Sequence, residues 1–102
     1  MMRSMNSTKE LPASKKQGLY IEDLSHKLGQ DRACDLYELI AGAPPAYGSK
    51  PSSKISRYEA YQLTVKQAST MIETMLACIN EPQFAVEVIL ESILENQEFD
   101  AC

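Results

Sequence analysis

The sequence predicts an all-α domain, a small bundle of about four helices, and three observations carry that reading. The first is a stripe of apolar residues from Tyr58 to Ile79. Tyr58, Tyr61, Val65, Ala68, Ile72, Met75 and Ile79 fall at alternating steps of three and four, which returns each to the same face of a helix. The second is the broad apolar character of the segment after Pro82. The third is a pair of short amphipathic stretches divided by Gly29.

The central element is expected over residues 56–79. Ser56 and Glu59 form the S-x-x-E pattern of a capping box, in which each side chain satisfies the other residue's free N–H. Pro51, Ser52 and Ser53 before it are poor helix residues. Pro82 closes it, because proline lacks the N–H and clashes with the preceding turn. The rod would run roughly 36 Å, about the width of a small domain, so the other elements must pack along it. Its stripe reads as an intramolecular core or as a seam with a second chain, since a- and d-like positions repeat over about three heptads. Met71, Leu76 and Cys78 widen the apolar face and favour a globular bundle.

The other elements follow in order. Residues 1–17 are polar, aperiodic and interrupted by Pro12, and are expected to form a flexible basic tail ahead of one helical domain over 18–102. A short helix is expected from Leu19 to Leu28, with Ile21, Leu24 and Leu28 on its apolar face and Gly29 as its stop. Asp31 is the expected cap of a second helix from Arg32 to Ala41, striped by Ala33, Leu36, Tyr37 and Ile40. Together they make an αα-hairpin over 19–41. Residues 43–54 are a loop rich in proline and serine, with Tyr47 as a candidate anchor for a partner. The last helix is expected over 81–97, with Asn80 as N-cap and Pro82 in its first turn. Val86, Ile89, Leu90, Ile93 and Leu94 form its main stripe, and Phe84 and Val88 lie on a flanking face. Glu98 and Asp100 oppose the helix dipole, so the chain should fray after Gln97.

Charge is distributed unevenly. From Gln67 to Cys102 there are seven acidic residues and no Lys or Arg, a net of −7. The first 66 residues hold ten basic against seven acidic residues, a net of +3, which gives the overall −4. Such asymmetry points to directed contacts with a charged partner or a second copy. Glu87, Glu91 and Glu95 recur every four residues as an acidic ridge. Like charges at that spacing cost a few tenths of a kcal/mol per pair, accepted on a solvated face or offset by a basic partner. Arg3, Lys15, Lys16, Lys50, Lys54 and Arg57 are the candidate phosphate contacts.

Chemistry is sparse. Cys34, Cys78 and Cys102 are odd in number and lack C-x-x-C spacing, the pattern of reduced thiols in a cytosolic protein. With His26 as the sole histidine, a zinc site would need ligands scattered over the chain. Asp23, Ser25 and His26 lie on one short stretch whose spacing does not aim them together for acyl transfer. No phosphate-loop, dinucleotide or metalloprotease motif is present. No apolar run is long enough to span a bilayer, and the N-terminus lacks the apolar core of a secretory signal. A helix-turn-helix reading of the 19–41 hairpin fits poorly, because Asp31, Asp35 and Glu38 oppose Arg32 alone where a recognition helix wants cations.

The expectation is therefore a cytoplasmic, cofactor-free, non-enzymatic adaptor or regulator that self-associates, as a dimer, through the central and last helices and binds another protein. Two alternatives stand beside it. One is a DNA-binding accessory protein using the basic tail and loop. The other is an acidic inhibitor that occupies a basic groove of its partner.

Overall fold

The computed structural model describes the backbone of residues 11–47 and 50–101, with side chains except at 47, 50 and 97–101. The domain is all-α. Its elements are α1 (Lys15–Leu28), α2 (Gln30–Ala41), a ribbon of two-residue strands β1 (Ala46–Tyr47) and β2 (Lys50–Pro51), α3 (Arg57–Ala60), α4 (Val65–Asn80) and α5 (Val86–Ala101). The ribbon is antiparallel, pairing Ala46 with Pro51 and Tyr47 with Lys50. α4 is the hub and packs against α1, α2 and α5.

The single helix expected over 56–79 is two helices. The Ser56–Glu59 capping box forms as the sequence implies, but the helix it starts ends at Ala60. Tyr61 to Leu63 turn, and Thr64 opens a new helix with a second capping box to Gln67. The break is stabilised from outside. The N–H of Ala13 donates to the Leu63 carbonyl at 2.9 Å, and the N–H of Val65 donates to the Leu11 carbonyl at 2.8 Å. Residues 11–13 thus satisfy backbone groups that a turn within a helix would otherwise leave orphaned. The break also lets Leu63 point inward, 1% exposed.

The same pairing changes the start of the chain. Of the expected tail over 1–17, residues 1–10 lie outside the described residues, whereas from Leu11 the chain is built into the domain. α1 begins at Lys15 rather than Leu19, on a capping box between Ser14 and Gln17. Gln17 then reaches across to α4, its Nε2 donating to the Val65 carbonyl at 3.3 Å and to Ser69 Oγ at 3.2 Å.

α1 and α2 meet at one residue. Gly29 has φ +108°, a conformation that side chains with a Cβ rarely adopt. It is the N-cap of α2, so Asp31 sits in the first turn and not at the cap as expected. Asn80 likewise is the last residue of α4 and not the N-cap of the next helix, and Pro82 lies in the connecting turn. α5 starts at Val86 and continues to Ala101, four residues past the expected fraying point at Gln97.

The core gathers Ile21, Leu24, Leu36, Ile55, Leu63, Met71, Met75 and Cys78, all essentially sealed from water. Ser25 and Thr74 are equally buried. Their hydroxyls donate to the carbonyls one turn back, Ile21 at 2.8 Å and Thr70 at 2.7 Å, which removes the cost of burying a polar group. Glu59 is also buried. Its carboxylate accepts from the Ser56 N–H at 2.9 Å and from the Ser56 hydroxyl. Burial pushes its pKa up, but the hydrogen bonds from Ser56, aided by Ser52, outweigh that and hold it below the ordinary glutamate value. The Tyr37 hydroxyl donates to the Glu59 carbonyl at 3.2 Å, tying α2 to α3.

Candidate interaction surface

The Tyr58–Ile79 stripe does not remain one face once the helix breaks. Ala68 and Met75 are fully buried, and Ile72 and Ile79 pack half-buried against the core. Val65 is 39% exposed. Tyr58 is exposed too, with Arg57 over its ring at 5.7 Å, and Tyr61 meets it edge-on, ring centroids 6.3 Å apart. The buried face of α4 is instead Ala68, Met71, Met75 and Cys78, with Thr70 and Thr74 beside it. An interchain seam along Tyr58–Ile79 has no continuous helix to run on.

α5 uses its predicted stripe more closely. Val86, Ile89, Leu90 and Ile93 are buried, whereas Leu94 is exposed. Phe84 and Val88 remain outside as well, 46% and 54% exposed. Between α4 and α5 lies an open groove of about 350 Å³ lined by Ala77, Glu81, Phe84, Val88, Ile89, Ser92 and Ile93. Its floor is apolar. Position 84 precedes α5, and Arg32 of α2 holds it there by donating to the Phe84 carbonyl at 2.7 Å.

The other flank of α5 is acidic. A depression of about 570 Å³ between α2 and α5 is lined by Asp35, Glu38, Leu39, Gly42, Val86 and Glu87. A second, of about 380 Å³, shares Asp35 and Glu38 and adds Asp31, Cys34 and the Pro44–Pro45 and Ser52–Ser53 pairs. Glu87 joins carboxylates of α2 at the first depression, and Glu91 and Glu95 follow it at four-residue steps, exposed, along α5. Among the described residues, no ion pair neutralises Asp31, Asp35, Glu38, Glu87, Glu91 or Glu95. Their field is felt locally. The Cys34 thiol is held above its ordinary pKa first by burial and then by Asp31, Asp35 and Glu59. Burial likewise raises Cys78, partly opposed by Arg32.

The candidate phosphate contacts are dispersed. Lys15 and Lys16 are exposed at the start of α1, and Lys54 is exposed in the loop before α3. Arg57 is engaged by Glu22, with Nε 3.5 Å from Oε1 and the backbone N–H 3.2 Å from Oε2. Arg3 and the side chain of Lys50 lie outside the described residues, as does that of Tyr47. The outward face of α2, which a helix-turn-helix would turn to DNA, carries Asp31, Asp35 and Glu38.

The Asp23, Ser25 and His26 side chains go three separate ways. Asp23 pairs with Lys27 at 3.3 Å, Ser25 bonds inward to Ile21, and exposed His26 lies 3.5 Å from Gln30. Among the described residues, no helix is long and apolar enough to cross a membrane.

Sequence reasoning missed the acidic depression between α2 and α5, because its carboxylates come from two helices some fifty residues apart. It also missed the break at Leu63, although the T-x-x-Q pattern of Thr64 and Gln67 is a legible start signal. No family model matches this chain, and neither a curated protein nor a solved structure matches it.

Proposed function

We propose that this chain is a small non-enzymatic adaptor or regulatory protein that acts by docking to another protein through the outer face of α5. One observation carries the reading. α5 is apolar on more than the side it buries, and exposed Val88, together with Phe84 just before the helix, opens onto a preformed groove. A helix apolar on two sides fits a position between two surfaces, and the domain supplies one of them. Exposed apolar side chains rimmed by polar residues are the common form of a protein contact site.

The test is comparative capture from the cells that produce the protein. Wild type and the double variant Phe84→Asp/Val88→Asp are compared, with equal helicity by circular dichroism as the control. Wild type should retain a stoichiometric protein that the variant loses. Recovery of the same set by both removes the support for this face.

A second reading, an acidic inhibitor of a basic groove, is favoured by the convergence of Asp35, Glu38 and Glu87 on one depression. Desolvated charge complementarity of this kind gives specificity and fast encounter. It predicts that Asp35→Asn with Glu87→Gln loses the captured protein while Val88→Asp keeps it.

A further inference from the structure

The apolar groove beside α5 is bordered by exposed carboxylates. Glu81 stands at its end, where α4 turns toward α5. Glu73 is one helical turn before Ala77, on the same face of α4. On α5, Glu91 lies three residues and Glu95 seven residues after Val88, so both sit beside the crest that Val88 occupies, on the side away from groove-lining Ser92. All four glutamates are exposed. The chain has no Lys or Arg from Gln67 onward, so neither α4 beyond that point nor α5 supplies a cation to this rim, and Arg32 of α2, the cation beside Phe84, is engaged by the Phe84 carbonyl.

We propose that the groove takes a cationic amphipathic helix of a partner protein, resting on the docking role of α5 argued above. The apolar stripe of that helix would lie against Ala77, Phe84, Val88 and Ile93. Its flanking Lys and Arg side chains would meet Glu73, Glu81, Glu91 and Glu95. This is recognition of a helix in a groove, with an apolar centre and a charged rim. The sign of the rim selects the occupant. A second copy related by a two-fold axis would bring the same glutamates face to face, since such an interface pairs a patch with itself. Like charges so placed oppose association, whereas a basic partner is drawn in.

The test uses three labelled peptides of about five helical turns: an amphipathic Leu/Lys peptide, its Leu/Glu counterpart, and a Leu/Lys peptide of the same composition in scrambled order. Binding is followed by fluorescence anisotropy at low and physiological salt, and the site is mapped by amide chemical-shift changes. The amphipathic Leu/Lys peptide should bind at least about tenfold tighter than either control, and more weakly as salt rises. Glu91→Lys with Glu95→Lys should weaken it about tenfold, and so should Val88→Asp. Glu91→Gln with Glu95→Gln gives a smaller loss in the same direction and serves if the lysine variant misfolds. Equal binding of the scrambled or acidic peptide overturns the proposal, as do shift changes confined to the α2 depression or no binding of the amphipathic peptide. If the peptides fail while capture of a partner still requires Val88, the cationic occupant is wrong and the docking role stands. If capture fails as well, both fall.

Discussion

Gly18 lies in the interior of α1 with the ring of Tyr61 directly over it, and replacing it by alanine sets two effects of opposite sign against each other. On propensity alone, alanine is better than glycine in a helix by about 1 kcal/mol. The structure predicts the reverse. A Cβ at Gly18 would lie 2.2 Å from Tyr61 Cε1, 2.8 Å from Cδ1 and 3.1 Å from Cζ. These are ring atoms of a side chain rooted at the α3–α4 turn, where the Tyr61 N–H is held by the Arg57 carbonyl at 3.0 Å. If the ring stays, the overpacking costs about 1–3 kcal/mol. If it swings out, it loses its burial against α1 and its edge contact with Tyr58, the latter about 0.5–1.5 kcal/mol. Either route meets or exceeds the propensity gain, so Gly18→Ala should lose up to about 2 kcal/mol net. Urea unfolding followed by circular dichroism reads this directly, and each kcal/mol corresponds to about 4–8 °C in Tm for a domain near this size. In a Tyr61→Ala background the clash is gone, and the same substitution should stabilise by about 1 kcal/mol. A stabilising Gly18→Ala in the wild-type background, or the same sign in both, would refute the reasoning.

Three further outcomes are expected. Met75→Ala should cost about 2–5 kcal/mol, because the side chain is sealed in the core, whereas exposed Val65→Ala should stay within about 0.5 kcal/mol, by the same urea measurement. Thr64→Ala should cost about 1 kcal/mol through loss of the cap of α4, and Thr64→Ser should restore most of it. Glu59 has a pKa lowered by folding, so its contribution is present above the unfolded value near 4.3 and is lost as pH falls through the folded value. Unfolding midpoints should therefore drop as pH is lowered below about 4.3, and Glu59→Gln should lower stability at neutral pH while flattening that acid limb.

The helices themselves were legible because their signals are local. The Ser56–Glu59 box, the Gly29 stop and the apolar stripe of α5 up to Ile93 each involve residues within a few turns, and each forms. What misled the reading over 56–79 was a period that continues across a break. Tyr58 and Tyr61 fall in phase with Val65 and Ala68, yet the turn at 61–63 resets the direction of every later side chain. The turn is tolerable because Leu11 and Ala13, about fifty residues away in sequence, complete its backbone hydrogen bonds. The true core face of α4 was also obscured by Thr70 and Thr74, polar in composition and buried in fact, since one bonds the other's carbonyl within the helix.

The sequence alone determined an all-α chain, the order of its helical segments and the unbalanced acidic charge of its second half, because propensity, capping and net charge are properties of residue types and short spacings. The tertiary structure decided where the central helix breaks, which face of α4 is sealed, that Phe84 and Val88 edge an open groove, and that Asp35 and Glu38 converge with Glu87. Those depend on which segments remote in sequence lie side by side, and burial is set by neighbours that no local pattern names.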